Sequence, residues 1–243
     1  MVQGEIMPAW RAGGEDACRF PIILLGVVHR DPRAGERLER VLAGLEFGAI
    51  SVEVSPYALA FRRRQGPELL RRLEANLPLA AALAGLDPAR ARGHAGLAWL
   101  EAYLRPPGEW LAARREARRR GLPCLARDFS MISRRLLASA HLLVTVENLA
   151  ALLSGPAPAG AGLERRRAAD LLGGRGGWLV PAGPEPLREA GLARRLARLA
   201  ALTAREGRGP LVHLGGWRHL LEGLTPPTLA QRLDLPPWRR ILV

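Results

Sequence analysis

Pro21-Ile22-Ile23-Leu24-Leu25-Gly26-Val27-Val28 and Ala49-Ile50-Ser51-Val52-Glu53-Val54 are the two stretches whose reading decides the fold. The first is an unbroken apolar run of the length expected for a strand buried on both faces. It stops at His29-Arg30-Asp31-Pro32, where polar groups and a proline break the pattern. Between the two stretches, Arg33 to Leu45 places Leu38, Val41, Leu42 and Leu45 at helical spacing. Strand, helix, strand over this length predicts a βαβ unit and therefore a parallel sheet.

Outward from this unit, Leu59 to Arg120 reads as helical and rich in Arg, Ala and Leu. It is punctuated at Gly66-Pro67, Asp87-Pro88 and Pro106-Pro107-Gly108. Gly121 to Ala126 is a candidate third strand leading into Arg127-Asp128, while Leu142 to Val146 suits a strand or a helix. Gly155 to Gly162 and Gly173 to Gly183 read as loops. Leu187 to Arg205 is amphipathic, with Leu192, Leu196, Leu199 and Leu202 near one stripe. Gly209 to Leu214 predicts a late strand, Gly215-Gly216 a turn into a helix near Trp217, and Arg240 to Val243 a last strand. Residues 1–20 read as an irregular lead-in. The expected architecture is one α/β domain over residues 1–243, with a mostly parallel central sheet flanked by helices and a helical insertion at about 59–120.

The chain has 243 residues, 48% of them hydrophobic and 24% charged, the balance of a globular protein. A net charge of +13 points first to nucleic acid. All 36 basic residues are arginine, however, spread along helices and interleaved with acids, and only 5% of residues are aromatic. Solvated helix faces explain that pattern better than a base-stacking surface, so nucleic acid is not the expected partner. Cys18 and Cys124 form no metal-type pair, and a reducing cytoplasm is the expected compartment. No run approaches the ~18 apolar residues that a membrane span needs, so no membrane partner is expected.

Reactive side chains recur where strands end: Gly26-Val27-Val28-His29, Val52-Glu53-Val54-Ser55, and Gly216-Trp217-Arg218-His219 after the late strand. Ligand sites of open parallel sheets lie outside the carboxyl ends of the strands, so His29, Glu53 and His219 should converge there. Gly26 and Gly216 allow tight turns and close backbone approach before each histidine. Two imidazoles and a carboxylate suit a divalent metal with a position left open for water. The same trio also suits a histidine base oriented by Glu53. Glu53 is the stronger candidate because an unpaired carboxylate between Val52 and Val54 would be costly. His213 reads as a core histidine.

These motifs, in this order, resemble the TraB/PrgY/TIKI superfamily. The points of likeness are Gly26 to His29, Ile50 to Glu53 with Arg62 to Arg64 downstream, Arg127-Asp128-Phe129 with Arg134-Arg135, and Gly216 to His219. Arg188-Glu189 matches the family's late segment loosely, because Leu187 stands where its first acid belongs; Arg188 is not assigned to the site. The resemblance implies a compact α/β fold with inserted helices, shared with erythromycin-esterase-like and haem-binding ChaN-like proteins. It implies His29, Glu53 and His219 as metal-binding or catalytic residues, with Arg127 and Arg62 as anion or oxyanion stabilisers. The expected function is hydrolysis of a peptide or similar amide or ester assisted by Mn, Co or Zn. The alternatives are a haem or small-ligand binder and a regulatory peptide-binding protein.

Overall fold

A computed structural model describes residues 22–243 apart from 30, 157–159, 176, 180, 182 and 184. The expected lead-in and Cys18 lie outside the described residues. Five strands are present: β1 (Ile22–Val27), β2 (Ala49–Val52), β3 (Cys124–Ala126), β4 (Leu211–Gly216) and β5 (Arg240–Leu242). They form an all-parallel sheet in the order β3-β2-β4-β1-β5. The late strand β4 thus inserts between the two strands of the opening βαβ unit, with Ile22 beside Leu211 and Ala49 also beside Leu211.

Side chains alternate across a strand, and here the alternation sorts the core into two layers. Ile23, Leu25, Val27, Ile50, Val52, Val212 and Leu214 face one layer. It contains α1 (Ala34–Ala43) and α6 (Gly108–Arg119). Ile22, Leu24, Ala49 and Leu211 face the other. That layer holds α10 (Pro186–Arg205) and the short α11 (Leu229–Arg232). Leu38 and Leu42 of α1 are fully buried, as their spacing predicts.

The expected helical segment at 59–120 divides in two. Its last helix, α6, packs on α1, β2 and β3 and belongs to the sheet's own covering layer. The earlier helices are α2 (Pro56–Arg64), α3 (Gly66–Leu83), α4 (Pro88–Arg92) and α5 (Ala95–Leu104). They gather with α7 (Ser130–Leu137) and α8 (Val146–Ser154) into a helical side cluster. Ser55 caps α2 by accepting from the Ala58 N–H at 3.0 Å, and Pro56 occupies the first helical position, where its missing N–H costs nothing. The ambiguous stretch Leu142 to Val146 is helical: it spans the end of a 3-10 turn, Ala140–Val144, and the first residue of α8. The remaining long helix is α9 (Ala161–Leu172), and a 3-10 turn at Trp217–Leu220 stands where a helix is expected after β4. Among the described residues no helix is long and apolar enough to cross a membrane.

Candidate functional site at the carboxyl edge of the sheet

β2 and β4 lie side by side, but the chain leaves them in different directions. From β2 it passes into the helical side cluster; from β4 it turns back over β1 through Trp217–Leu220. The divergence leaves a crevice at the strand ends, the place where parallel sheets bind ligands. Glu53 stands there, one residue beyond β2, with its N–H bonded to the Leu214 carbonyl at 2.8 Å.

Position parity decides which layer meets each side chain. Residues 49 and 51 of β2 with 53 just beyond it, and 211, 213 and 215 of β4, face α10. Glu53 therefore meets the first turns of that helix. Its Oε1 accepts from Arg188 Nη2 at 2.5 Å, and Arg188 also grips Asp128 through Nε at 3.0 Å and Nη2 at 2.9 Å. Glu53 Oε2 accepts from the Gly216 N–H at 2.8 Å and from His219 Nε2 at 2.8 Å. On the far side of that ring, Nδ1 lies 2.8 Å from Glu189 Oε1, an ion pair without hydrogen-bond alignment. Glu189 is fully buried on the apolar stripe of α10.

Burial opposes the charge on both Glu53 and His219, yet their mutual attraction prevails. Glu53 is held well below the usual carboxylate range by His219 and then by Arg188. His219, with Glu53 and Glu189 on either side, is pushed up to about 10 and is an imidazolium at neutral pH. His213, also buried, has no such partner aligned with it. Burial drives it down to about 3, so it stays neutral, sharing a 2.7 Å hydrogen bond with Ser51 Oγ while Nε2 has no partner.

His29 reaches the crevice from the opposite layer. Its Nδ1 is 3.1 Å from Glu109 Oε1, in the first turn of α6, and its ring is 48% exposed. Burial works against protonation of this ring, but the bond to Glu109 and the charge of Glu53 raise its pKa. Its Nε2 lies 3.0 Å from the position a Gly216 Cβ would occupy, and Glu53 Oε2 lies 3.9 Å from the same point. A Cβ on Gly215 would likewise meet Glu53 Oε2 at 2.8 Å and His219 Cδ2 at 3.0 Å. The two glycines thus make room for the three side chains that the sequence singles out.

The other expected site residues fall elsewhere. At Gly26 a Cβ would sit 2.5 Å from Leu220 Cδ1 and 2.9 Å from Trp217 Cα, so its bareness seats the 3-10 turn on β1. Arg62 donates from Nε to the Tyr103 carbonyl at 2.9 Å and adds positive charge beside Glu109. Arg127 bonds through its backbone N–H to the Val52 carbonyl, and its guanidinium makes no ion pair with the described residues. Arg188 takes the place beside Glu53. Glu109 and Glu189 were legible only as acids on the largely apolar buried faces of α6, which also carries Glu116, and α10.

No family model, curated protein or solved structure matches the chain. Function is therefore read from the side chains themselves.

Among the described residues no three His, Cys, Asp or Glu groups converge tightly enough to hold a metal as they stand. The donor chemistry nevertheless fits one, provided that His219 gives up its Nε2 proton, as an imidazole ligand does when an ion binds. Both imidazoles are backed at Nδ1 by a buried carboxylate, the arrangement that fixes metal-ligating histidines, and both present Nε2 toward the space around Glu53.

The perturbed histidines also set a pH optimum for folding. His213 is neutral in the fold and ordinary when unfolded, so its contribution is complete above pH 6.5 and is lost as pH falls from 6.5 toward about 3. His219 acts in reverse, losing its contribution as pH rises from 6.5 toward about 10. Denaturant titrations should place maximal stability near pH 6.5, falling by about 1.4 kcal/mol per unit toward pH 5. In His213→Asn, whose amide can retain the Ser51 bond, that acid slope should flatten. An unchanged slope would show that His213 is not the group responsible.

Proposed function

We propose that this chain is a metal-assisted hydrolase of the TraB/TIKI-like kind, acting on a peptide or similar amide or ester. The observation that carries this reading is the pairing of Glu109 with His29 and of Glu189 with His219, with Glu53 on the Nε2 side of both rings. His29, His219 and Glu53 would hold the ion, with Mn, Co or Zn the candidates. A bound divalent ion lowers the pKa of water and polarises a carbonyl. Glu109 and Glu189 orient the rings, Arg188 holds Glu53 in place, and the half-exposed edge of His29 faces incoming substrate.

Elemental analysis of the purified protein should find a divalent metal that His29→Ala and His219→Ala lose. Glu109→Gln and Glu189→Gln should weaken it by roughly 10–100-fold, as loss of a carboxylate behind a metal-bound histidine does. A peptide and ester library assayed with added divalent ions should show turnover that a chelator abolishes. Metal retention equal to the parent in both alanine variants would refute the ligand assignment.

A metal-free reading is favoured by one feature: among the described residues no three ligands converge tightly as they stand. In it His29 is the general base and Glu109 orients the ring. Turnover that survives chelation but is lost in Glu109→Gln would select this reading. No turnover under any condition would leave a small-ligand or haem binder on the same pocket.

A further inference from the structure

A cavity of about 620 Å³ opens farther along the same sheet edge, beside β5 rather than over Glu53. Neither His29, Glu53 nor His219 lines it. Its walls come from the start of α1, with Arg33 and Arg37, and the start of α9, with Arg165 and Arg166; Asp31 is the one acid among them. Asp31 is already engaged, accepting from Arg37 through a short ion pair and from the Arg33 N–H at 2.9 Å. The guanidinium groups of Arg33, Arg165 and Arg166 form no close ion pair among the described residues, although Arg165 feels the charge of Asp31 and Arg166 that of Asp170, and Arg37 Nε is buried without a hydrogen-bond partner there.

Elsewhere in this arginine-rich chain many guanidinium groups pair with acids one turn away, as Arg72 with Glu68 and Arg120 with Glu116 do, or with an acid of another element, as Arg115 with Glu39 does. Here four converge on one concavity. Burial first, and then the neighbouring Arg37 and Arg40 cations, lower the pKa of Arg165, against the opposing charge of Asp31. Ala161 and Gly162 open α9 into the same space, and no side chain caps that helix. The amino end of that helix adds to the field that favours an anion.

We propose that this cavity binds a small phosphate-bearing ligand of nucleotide or sugar-phosphate size. The volume lies within the range of small-molecule sites. A phosphate offers several charged oxygens to the guanidinium forks, whereas a lone carboxylate would occupy one fork and leave the rest unmatched. Between the arginines the lining is of small or aliphatic residues, and among the described residues it holds no aromatic platform, which favours a compact ligand over a nucleic-acid strand. The site stands independently of the hydrolase reading, since it shares none of those residues.

Calorimetric titration of the full chain at roughly 0.1 M salt tests it, with pyrophosphate, a nucleoside diphosphate, a hexose phosphate and citrate as probes. At least one phosphate-bearing probe should bind one-to-one, at least roughly tenfold tighter than citrate. Arg165→Met and Arg166→Met, both solvent-facing changes that leave the core intact, should each weaken it by roughly tenfold, while Arg64→Met on α2 should leave it within about twofold. The nucleotide and sugar arms tell which ester is preferred. Absence of saturable binding, citrate binding as tightly, an RNA oligomer lacking a terminal phosphate binding as well, or equal loss in Arg64→Met would each overturn the proposal.

Discussion

Glu53→Gln is expected to destabilise the protein by about 3–5 kcal/mol, the usual consequence of removing one member of a buried ion pair. The carboxylate is 5% exposed and serves three donors at once: Arg188, His219 and the Gly216 N–H. The amide is isosteric, so no cavity opens and packing is preserved. What it loses is the charge, leaving an imidazolium and a guanidinium facing each other across a neutral group. At 2–4 °C per kcal/mol for a chain of this size, the thermal midpoint should fall by about 10 °C. Any hydrolytic activity should vanish in the same variant under conditions where it remains folded. A loss below about 1 kcal/mol by denaturant titration would mean that Glu53 is not the hub of this network.

Arg188→Met should cost about 3 kcal/mol, whereas Arg127→Met should stay within about 0.5 kcal/mol of the parent. Both arginines approach the carboxyl edge of the sheet. Among the described residues only Arg188 is paired with acids, and it bridges two carboxylates, Glu53 and Asp128. Its loss leaves both acids with one cation fewer. The methionine chain retains most of the stem's packing, so the effect reads the guanidinium rather than the volume. Denaturant titration of the two variants side by side measures the difference. Equal stabilities would return Arg127 to the position that the family resemblance implies. A loss of activity in Arg127→Met without loss of stability would show that it meets substrate rather than protein.

The contrast between these two arginines shows where reading along the chain succeeds. Arg127 follows a strand directly, so its approach to the sheet edge is legible from local order. Arg188 enters from the first turn of a helix 135 positions after Glu53, and nothing local connects the two. The same holds for Glu109, 80 positions from His29. The trace that was available is compositional: Glu189 shares a helical face with Leu192, Leu196 and Ala200, and Glu109 shares one with Ala112, Ala113 and Ala117. An acid on such a face has to find a cation or lose its charge.

Apolar runs and helical spacing determine the parallel sheet, its α/β class and the strand-end positions of His29, Glu53 and His219, because periodicity and strand polarity are local properties of the chain. Strand order belongs to the tertiary structure alone. Only the insertion of β4 between β1 and β2 brings His219 against Glu53 and gives Gly216 an N–H to donate. Which layer supplies each carboxylate is likewise settled by packing, since an ion pair between a strand and a distant helix depends on a face and a register that no short segment encodes.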